Sequence, residues 1–541
     1  MNTLIKPINN YVRHSFIHPL LHFCPSQALT PCSHTSSDMV VTAIAPGVFG
    51  GPTNFQHPIW QYHQYLATPL PTQHPTTHVG RDIMGLISSL IILRVGTWIS
   101  ARIPRRLRRP LAVLTFVLVS LLVWYHFQPP ASTVRAAVNF NAARLGSSVR
   151  GAAYQDPDAW MRVPGRWEVE VSADIGYLIK TGYGTRGRVK LMRDAYEKSG
   201  GILGEEGVLV VGDWDGDGVT DALSRGWQMM EEFGVDDDVA GAKRRKKHGL
   251  LRAAIESGDE EKALELGKEF GWELDALKFI PGMYDLYNRY PEKKWYIILD
   301  DDTYLVRPTL EMLLSHLDPD KPHYIGNAVG DFRARFAHGG SGIIISRKAM
   351  QKFASDKTVI ATSLAVSLVE TWGDKLVATT LQQLGIYLEE RYAHHFNGEP
   401  PEITRVAAER FCAPIVSFHS LRTPTAMDHL ARSLRPFRKP ISWGTLLEVF
   451  GMPTAGGVID RVGPLDDKTT TWKNVKSADE CRRKCEVDSK RWCLAWKHDG
   501  AAAACHASPW VVPGERGSKD ITASGVHEAA IVGLRARCAG D

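Results

Sequence analysis

The run WYIILDDDTYL, Trp295 to Leu305, constrains the fold more than any other stretch of this sequence. An apolar segment of strand type ends in three carboxylates, and in open α/β sheets ligands bind beyond the carboxyl ends of the strands. Because side chains alternate along a strand, Asp300 and Asp302 should point the same way. Two such carboxylates suit Mg²⁺ or Mn²⁺ that also holds phosphate oxygens. Capping the next helix would need only one acid, so the sequence predicts a divalent-metal site here.

Similar strand-like runs recur along the chain between helical stretches, and we interpret them as one α/β domain over residues 166–435. The predicted strands lie in Asp174–Gly182, Gly207–Asp213, Lys294–Asp302, His323–Val329 and Ser341–Ser346. The predicted helices include Gly187–Lys198, Glu260–Phe270 and Trp272–Arg289. Continuous apolar strands that alternate with helices indicate a mostly parallel sheet covered on both faces.

The segment LAVLTFVLVSLLVWYHF, residues 111–127, carries no formal charge and predicts a single transmembrane helix. Its length is at the short end of the roughly 17 to 25 residues that span a bilayer, and its terminal aromatic residues suit a membrane interface. Arginines between Arg102 and Arg109 precede it, which predicts a type II orientation with a lumenal C-terminus. A short span favours the Golgi or ER membrane. The apolar run Ile83–Leu93 could be re-entrant, interfacial or a second span.

The regions that flank this span lack a strong pattern. Residues 1–110 are interpreted as a cytosolic tail, mostly disordered, because residues 1–80 are rich in His and Pro without periodicity. Met84 would begin a tail of more typical length, so residues 1–83 need not be native. Residues 128–165 predict a stem. The net charge of +5 comes largely from the arginine cluster before the span, so we expect no nucleic-acid partner.

The cysteines are distributed as a lumenal C-terminal part requires. Six of the eight cysteines follow the predicted span, and four of these lie close together in CRRKCEVDSKRWCLAWKHDGAAAAC. An even number of cysteines on the oxidising side of a membrane is typical of disulfides. We therefore predict a linker over residues 436–475 and a small disulfide-rich module over residues 476–541.

Two charged stretches need separate interpretation. GDWDGDGVTD, residues 212–221, has the acid spacing of a calcium loop, but Ser224 stands at the twelfth position, where such a loop has a carboxylate. GVDDDVAGAKRRKKHG, residues 234–249, joins an acidic block to a basic one, and we predict a solvated mobile loop there.

A glycine-rich turn supplies the last motif. In FAHGGSGIIIS, residues 336–346, three glycines precede a strand, which allows the backbone to approach a ligand closely. WYIILDDDTYLV followed by FAHGGSGIIISRKAM resembles glycosyltransferase family 31, the Fringe-like group, and DDDTY is closest to the core 1 β-1,3-galactosyltransferases. The resemblance covers roughly residues 170–425. It implies a GT-A fold, Rossmann-like for a nucleotide-sugar, a UDP-sugar donor, Mn²⁺ and inversion at the anomeric carbon.

The resemblance also implies roles for particular positions. Those implied to contact the nucleotide or donor sugar are Lys180, Thr181, Arg188, Asp213, Asp300, Asp301, Gly339 and Gly340. Those implied to hold the metal are Asp300, Asp302 and His419. Asp374, in TWGDKLVATTLQQLG, matches the catalytic base, whereas Gly373 stands where the family usually has a second acid.

The function implied is Mn²⁺-dependent transfer of galactose from UDP-galactose to an N-acetylgalactosamine-bearing glycoprotein, with a β-1,3 linkage. Two alternatives stay open. One is a membrane-anchored protein that binds calcium or carbohydrate through the DWDGDGVTD loop and the cysteine-rich module. The other is an inactive relative that keeps the fold and binds a UDP-sugar without turnover.

The C-terminal module resembles a PAN/Apple domain, from its cysteine spacing and the run CLAWKH. Four clustered cysteines allow three connectivities. The resemblance favours the nested pairs Cys481–Cys505 and Cys485–Cys493, and Cys412–Cys538 would then tie the module to the α/β domain. Such modules bind protein or carbohydrate, which implies a role in capturing the acceptor.

Overall fold

The structure is a computed structural model that describes residues 105–153, 156–198, 203, 206–236, 239–451, 458–488, 493–514 and 517–538. Most of the predicted cytosolic tail and the apolar run Ile83–Leu93 lie outside these residues.

The α-helices are α1 (Arg105–Phe127), α2 (Thr133–Ala153), α3 (Gly187–Lys198), α4 (Ala222–Phe233), α5 (Val239–Glu256), α6 (Glu260–Asp275), α7 (Phe279–Arg289), α8 (Arg307–Ser315), α9 (Arg347–Ser355), α10 (Lys357–Ser367), α11 (Gly373–Gln383), α12 (Pro424–Leu434), α13 (Leu446–Val449), α14 (Ala478–Arg483) and α15 (Glu528–Arg535). The strands are β1 (Ile175–Lys180), β2 (Val208–Gly212), β3 (Thr220–Asp221), β4 (Trp295–Asp300), β5 (Tyr304–Leu305), β6 (Tyr324–Gly326), β7 (Ala328–Val329), β8 (Phe336–Ala337), β9 (Ile343–Ser346), β10 (Val406–Ala407), β11 (Ser417–Phe418), β12 (Thr470–Lys473), β13 (Ala495–Asp499), β14 (Ala504–Ser508), β15 (Trp510–Val511) and β16 (Ile521–Val526).

Helix α1 contains the predicted transmembrane segment. Its window Arg109–Phe127 has a mean hydropathy of 1.9, and none of the window is buried inside the described protein. By length and composition, this helix could cross a membrane. Helix α2 follows, and the Arg135 side chain donates to the His126 carbonyl at 2.6 Å, so the turn between the two helices is held by a side chain.

The α/β domain begins earlier along the chain than the predicted boundary at residue 166. A turn of 3₁₀ helix at Ala159–Arg162 packs on the domain, with Met161 fully buried. Arg162 donates to the Cys412 carbonyl at 2.9 Å. The latter part of the predicted stem is therefore part of the packed structure, because its apolar and charged side chains find partners there.

The central sheet has the strand order β3-β2-β1-β4-β9-β6. Strands β3, β2, β1 and β4 are parallel, whereas β9 runs antiparallel to both of its neighbours, β4 and β6. The sheet is therefore mostly parallel, as the alternation of apolar strands and helices predicted, and β4 lies between β1 and β9. This position places the three acids at the end of β4 near the middle of the sheet edge.

The two faces of the sheet belong to two different hydrophobic clusters. In β4, Ile297 and Leu299 belong to one cluster, and Tyr296 and Ile298 belong to the other. Alternate residues of a strand point to opposite faces, and both faces are apolar. The helices therefore cover the sheet on both sides, which explains why the strands read as continuous apolar runs.

The charged stretch at residues 234–249 is not the mobile loop that we predicted, because most of it lies in helix α5. The buried residues of α5 recur at helical spacing: Gly241, Arg244, His248, Leu251 and Ala254. Arg244 donates to the Ser367 carbonyl, and the guanidinium of Arg245 lies 4.4 Å from the centre of the Trp227 ring. The basic residues thus pack their side chains against the domain, which a count of charges does not reveal.

The C-terminal module contains an antiparallel sheet of order β12-β14-β13-β16. Its disulfides are Cys481–Cys505 and Cys485–Cys493, and Cys412–Cys538 joins it to the α/β domain. These are the nested pairs and the tie that the resemblance favoured. Strand β12 begins before the predicted boundary at residue 476, so the module is slightly larger than predicted.

The module also pairs directly with the rest of the chain. Strand β15 pairs with β10 of the α/β domain, and Leu494, Val511 and Leu534 belong to the same hydrophobic cluster as Ile297 and Leu299 of β4. Within the predicted linker, Trp443 and Val462 are buried. The linker is therefore partly a packed connection.

Candidate active site

The three acids lie where β4 ends, beside the end of β1. In the register of the parallel pair, Lys180 is opposite Asp300, and the Lys180 ammonium lies 2.8 Å from a carboxylate oxygen of Asp300. The Asp300 side chain is 30 % exposed, whereas those of Asp301 and Asp302 are 7 % and 6 % exposed. Three acids at the closely packed end of a strand therefore depend on nearby cations and hydroxyl groups.

Asp300 and Asp302 converge with His419. One potential ligand atom from each residue lies within 4.8 Å of the other two. Strand β11 pairs with β5, and this pairing brings His419 Nε2 to 3.1 Å from Asp302 Oδ1. His419 Nδ1 lies 3.2 Å from the Gly398 carbonyl, so the backbone orients the ring. The structure therefore brings together the three residues that we predicted to hold a metal.

Burial alone would raise the pKa of the Asp302 carboxyl. The hydrogen bond and charge of His419, helped by Arg188 and Arg422, instead hold that pKa below its usual value. The Arg422 guanidinium lies 3.5 Å from Asp302, and Arg188 lies 3.6 Å from it. Asp302 is therefore ionised at neutral pH and ready to bind a cation.

Asp301 makes a different set of contacts. It accepts hydrogen bonds from the Thr181 and Thr185 hydroxyls at 2.7 and 2.8 Å, and Arg188 lies 3.5 Å from it. Burial raises the pKa of Asp301 to about 6. Thr181, Arg188 and Asp301, which we predicted to contact the donor, thus form one group beside the cluster of Asp300, Asp302 and His419.

Lys180 belongs to a buried charge network. Its ammonium also lies 3.0 Å from Asp275 and 3.9 Å from the centre of the Phe279 ring. Its side chain is only 4 % exposed, and these contacts occupy the ammonium. In this structure Lys180 therefore fixes Asp300 in place and does not face an open nucleotide site.

Asp213, at the end of β2, is completely buried. It accepts a hydrogen bond from the Tyr183 backbone N–H at 2.8 Å and lies 3.6 Å from the Lys278 ammonium. Lys278 in turn donates to the Thr181 carbonyl at 2.8 Å. Asp213 thus supports the loop after β1 from behind, and its side chain is closed to direct contact with a donor.

Asp374 lies in the first turn of α11, with a side chain that is nearly buried. The Gly339 backbone N–H donates to it at 2.9 Å and the Lys375 N–H at 2.8 Å. Burial raises the pKa of Asp374 to about 6 despite these hydrogen bonds. A carboxyl group with such a pKa can exchange a proton near neutral pH.

The glycine-rich turn connects Asp374 with the cluster of Asp300, Asp302 and His419. Gly339 contacts Asp374, and the next residue, Gly340, packs against His419. A Cβ atom on Gly340 would come within 2.2 Å of His419 Nε2, so only glycine leaves room for this ring. The Thr303 hydroxyl donates to the Gly340 carbonyl at 2.8 Å and ties the turn to the acidic triplet.

Gly373 has a packing explanation. A Cβ atom there would come within 2.0 Å of the Phe279 ring, so no acidic side chain fits at this position. The ring also stacks with the Lys180 ammonium. The glycine at residue 373 is therefore explained by the aromatic ring that also contacts Lys180.

Two exposed tryptophans form a pair, and one of them, Trp372, lies two residues before Asp374 in the sequence. The Trp372 and Trp272 rings are 5.6 Å apart in an edge-to-face arrangement, and the two residues are 45 % and 61 % exposed. Such a pair offers an apolar surface of the kind on which sugar rings stack. No pattern in the sequence marks Trp272 as part of the site.

Several other contacts of the site had no signal in the sequence. Asp275, Lys278 and Phe279 lie where α6 gives way to α7, and only the fold brings their side chains to the ends of β1 and β2. Thr185 could have been noted because it closely follows the LIKTG strand end. Arg422 follows His419 closely in sequence but carries no motif.

The acids of the DWDGDGVTD loop, which the structure describes, do not form a cluster that could hold a cation. Asp221 caps α4 by accepting from the Leu223 and Ser224 N–H groups. It is buried and also lies 3.1 Å from His248 Nε2. Asp215 and Asp217 are exposed. Among the described residues, the groups of donors that could hold a metal do not include this loop. The calcium interpretation therefore finds no support in the described structure.

Comparison with known proteins identifies the domain. Residues 275–435, which include the acidic triplet, Asp374 and His419, match the family model described as Fringe-like. The chain therefore carries a Fringe-like domain, and its resemblance to glycosyltransferase family 31 is confirmed.

Two curated relatives agree with this assignment. One is a glycoprotein-N-acetylgalactosamine 3-beta-galactosyltransferase 1 of Xenopus laevis, 33 % identical over 63 residues, or 12 % of this chain and 18 % of that protein. The other is a human chondroitin sulfate glucuronyltransferase, 38 % identical over 61 residues, or 10 % of this chain and 8 % of that protein. The chain thus matches less than a fifth of the length of either relative.

Proposed function

We propose that this protein is an inverting β-1,3-glycosyltransferase with a GT-A catalytic domain, which transfers galactose from UDP-galactose to an N-acetylgalactosamine-bearing glycoprotein. The observation that carries the proposal is the convergence of Asp300, Asp302 and His419 beside the buried carboxyl group of Asp374. The galactosyltransferase relative supports galactose as the donor sugar. The glucuronyltransferase relative makes UDP-glucuronic acid the donor to compare with it.

The residues present fit a divalent cation. Two carboxylates and one imidazole are donors that Mn²⁺ accepts, and Gly340 leaves the His419 ring free of steric conflict. We propose that Asp300, Asp302 and His419 hold Mn²⁺. When bound, such an ion stabilises negative charge on a departing diphosphate.

The donor would lie along the ends of β1 and β4. A cleft of about 530 Å³ is lined by residues 184–188 with Leu191 and Leu264, and Arg188 connects this cleft to the acidic triplet. The Arg188 guanidinium suits a phosphate oxygen. Thr181 and Thr185 hold Asp301, which would then contact the ribose or the donor sugar.

Asp374 would act as the general base. Inversion requires one displacement, in which the acceptor hydroxyl oxygen forms a bond to the anomeric carbon while the bond to UDP breaks. Ionised Asp374 would take the hydroxyl proton, and the Gly339 N–H would hold the carboxylate in place. Trp372 and Trp272 would support the acceptor sugar from outside.

The same proposal gives the protein a place in the cell. Helix α1 would anchor it as a single-pass type II protein of the Golgi or ER membrane, with the catalytic domain in the lumen. The disulfides of the C-terminal part suit that oxidising compartment. We retain the PAN/Apple assignment of the module and its role in acceptor capture as part of this proposal.

A UDP-release assay on a panel of UDP-sugars tests the proposal. Full-length protein should release UDP in the presence of Mn²⁺ and a glycopeptide acceptor, and Asp302→Ala and Asp374→Ala should each abolish release. Binding of UDP without turnover on any acceptor would instead favour an inactive relative. Calcium binding without UDP binding would favour an adhesive protein.

A further inference from the structure

A second cluster of metal-binding side chains lies where the N-terminal segment packs on the α/β domain. Asp158 precedes the short 3₁₀ helix Ala159–Arg162, and His394 and His395 end another one, Glu390–His395. Asp158 Oδ2 lies 2.8 Å from His394 Nε2, and Asp158 Oδ1 lies 3.5 Å from His395 Nε2. One potential ligand atom from each residue lies within 4.8 Å of the other two.

The tautomer of His395 indicates what belongs between these groups. His395 Nδ1 lies 2.8 Å from the Pro414 carbonyl, and a carbonyl only accepts, so Nδ1 carries the hydrogen. In the neutral ring, Nε2 then presents a lone pair towards a carboxylate oxygen. His395 is completely buried, and its Nε2 has no hydrogen-bond partner among the described residues.

Two facing lone pairs repel each other unless a cation lies between them. A proton on His395 Nε2 would place an imidazolium in a fully buried position, where desolvation opposes the charge. A metal ion would instead displace the hydrogen that His394 Nε2 shares with Asp158 at 2.8 Å, and it would bind both imidazole nitrogens and the carboxylate together. His394 is 34 % exposed, which leaves a side of the cluster open to a water ligand.

We propose that Asp158, His394 and His395 form a zinc site. Two imidazole nitrogens and one carboxylate oxygen, with a fourth position open to water, are a common donor set for Zn²⁺. The proposal does not depend on glycosyl transfer, because it rests on residues outside the Asp300, Asp302 and His419 cluster.

The site would fasten the segment around Asp158 to the segment around β11, which His419 follows directly. The His395 carbonyl accepts from the Val416 N–H at 2.7 Å, and Phe396 bridges to Ser417 at the start of β11. Two residues further along the same segment, the Gly398 carbonyl orients the His419 ring. Zinc would thus act as a structural clip that holds these two segments together.

Zinc stoichiometry on the full-length protein in detergent tests the proposal. The starting protein carries Asp302→Asn and His419→Ala, which remove two donors of the Asp300, Asp302 and His419 cluster, and it is first treated with a chelator. This protein should bind one equivalent of Zn²⁺ by elemental analysis, and Co²⁺ in its place should give visible d–d absorption. Addition of His395→Ala should abolish both signals, whereas addition of His429→Ala, at an exposed histidine, should leave them unchanged.

Because His395 is buried, its variant could fail to fold, so His394→Ala at the partly exposed position is the second variant. It should also lose the zinc equivalent, and the chelator should no longer lower its Tm. The proposal is wrong if the starting variant binds no zinc while folded, or if His394→Ala retains a full equivalent at unchanged affinity.

Discussion

The two Asp/His clusters of this protein differ in what makes them visible. Asp300 and Asp302 belong to one short motif at the end of a central strand, and His419 reaches them through the β5–β11 pair. Asp158 comes from a segment far away in sequence from His394 and His395, and no motif marks either part. The first cluster adjoins Asp374 through two glycines, whereas the second holds a segment in place. Similar donors can therefore serve chemistry or architecture, and their neighbours decide which.

The largest expected effect is a loss of kcat on substitution of Asp374, which adjoins the first cluster and not the second. Asp374→Asn keeps the shape of the side chain but cannot accept a proton, so kcat should fall by about 10²–10⁴-fold. The KM for the UDP-sugar should stay near its original value, because Asp374 would contact the acceptor. Steady-state kinetics of UDP release measure both constants. Asp320→Asn, at an exposed acid, is the matched control, and equal losses in the two variants would contradict a base at residue 374.

A smaller effect is expected from the glycine that separates Asp374 from the first cluster. Gly340→Ala forces its Cβ into the His419 ring, so Mn²⁺ affinity should fall by about 10–100-fold, as when the support of a metal ligand is lost. Calorimetric Mn²⁺ titration measures this loss. Gly249→Ala in α5 serves as the control, because a Cβ there meets nothing within 4 Å. Unchanged Mn²⁺ affinity in Gly340→Ala would mean that His419 does not bind the ion.

The pH dependence of the rate tests Asp374 in the unaltered protein. Burial raises the pKa of Asp374 to about 6, and only its ionised form can take a proton. The kcat should therefore level off above pH 6 and fall about tenfold per unit below it. A pH–rate profile of UDP release, with the donor saturating, measures this. A rate that stays constant from pH 7 down to pH 4 would exclude a base with this pKa.

The smallest expected effect on chemistry belongs to the second cluster. His395→Ala should change kcat far less than Asp374→Asn, because His395 touches neither Asp374 nor the acidic triplet. It should lower the free energy of unfolding by about 3 kcal/mol, since a buried charge loses a partner and a cavity forms. Thermal unfolding measures the loss of stability, and kinetics of UDP release on the same preparation measure kcat. A loss of kcat as large as that of Asp374→Asn, without a change in Tm, would place His395 in the chemistry.

The sequence predicted the sheet well because each strand carries its own signal. The apolar run before Asp300 has both faces buried, so its composition alone indicates a central strand. The same holds for β1 and β2. The antiparallel direction of β9 could not be predicted, because the apolar composition of a short buried strand does not depend on the direction in which the strand runs.

The site was predictable only where function constrains local sequence. The positions of Asp300, Asp302 and Asp374 follow from motifs, but Lys180 and Asp213 turned out to be enclosed by Asp275 and Lys278. Such contacts depend on how α6 and α7 pack on the sheet, which no local pattern encodes. The basic run in α5 shows the same limit, because its charges conceal a helical spacing of buried positions.

Mn²⁺-dependent UDP binding tests most directly whether the cluster at the end of β4 is the donor site. Full-length protein should bind UDP by calorimetry in the presence of Mn²⁺ and lose that binding when a chelator is added. Asp302→Asn should bind no UDP under either condition, while His395→Ala should bind it as the unaltered protein does. If Asp302→Asn still bound UDP in a Mn²⁺-dependent manner with unchanged affinity, the assignment of Asp300, Asp302 and His419 would be wrong.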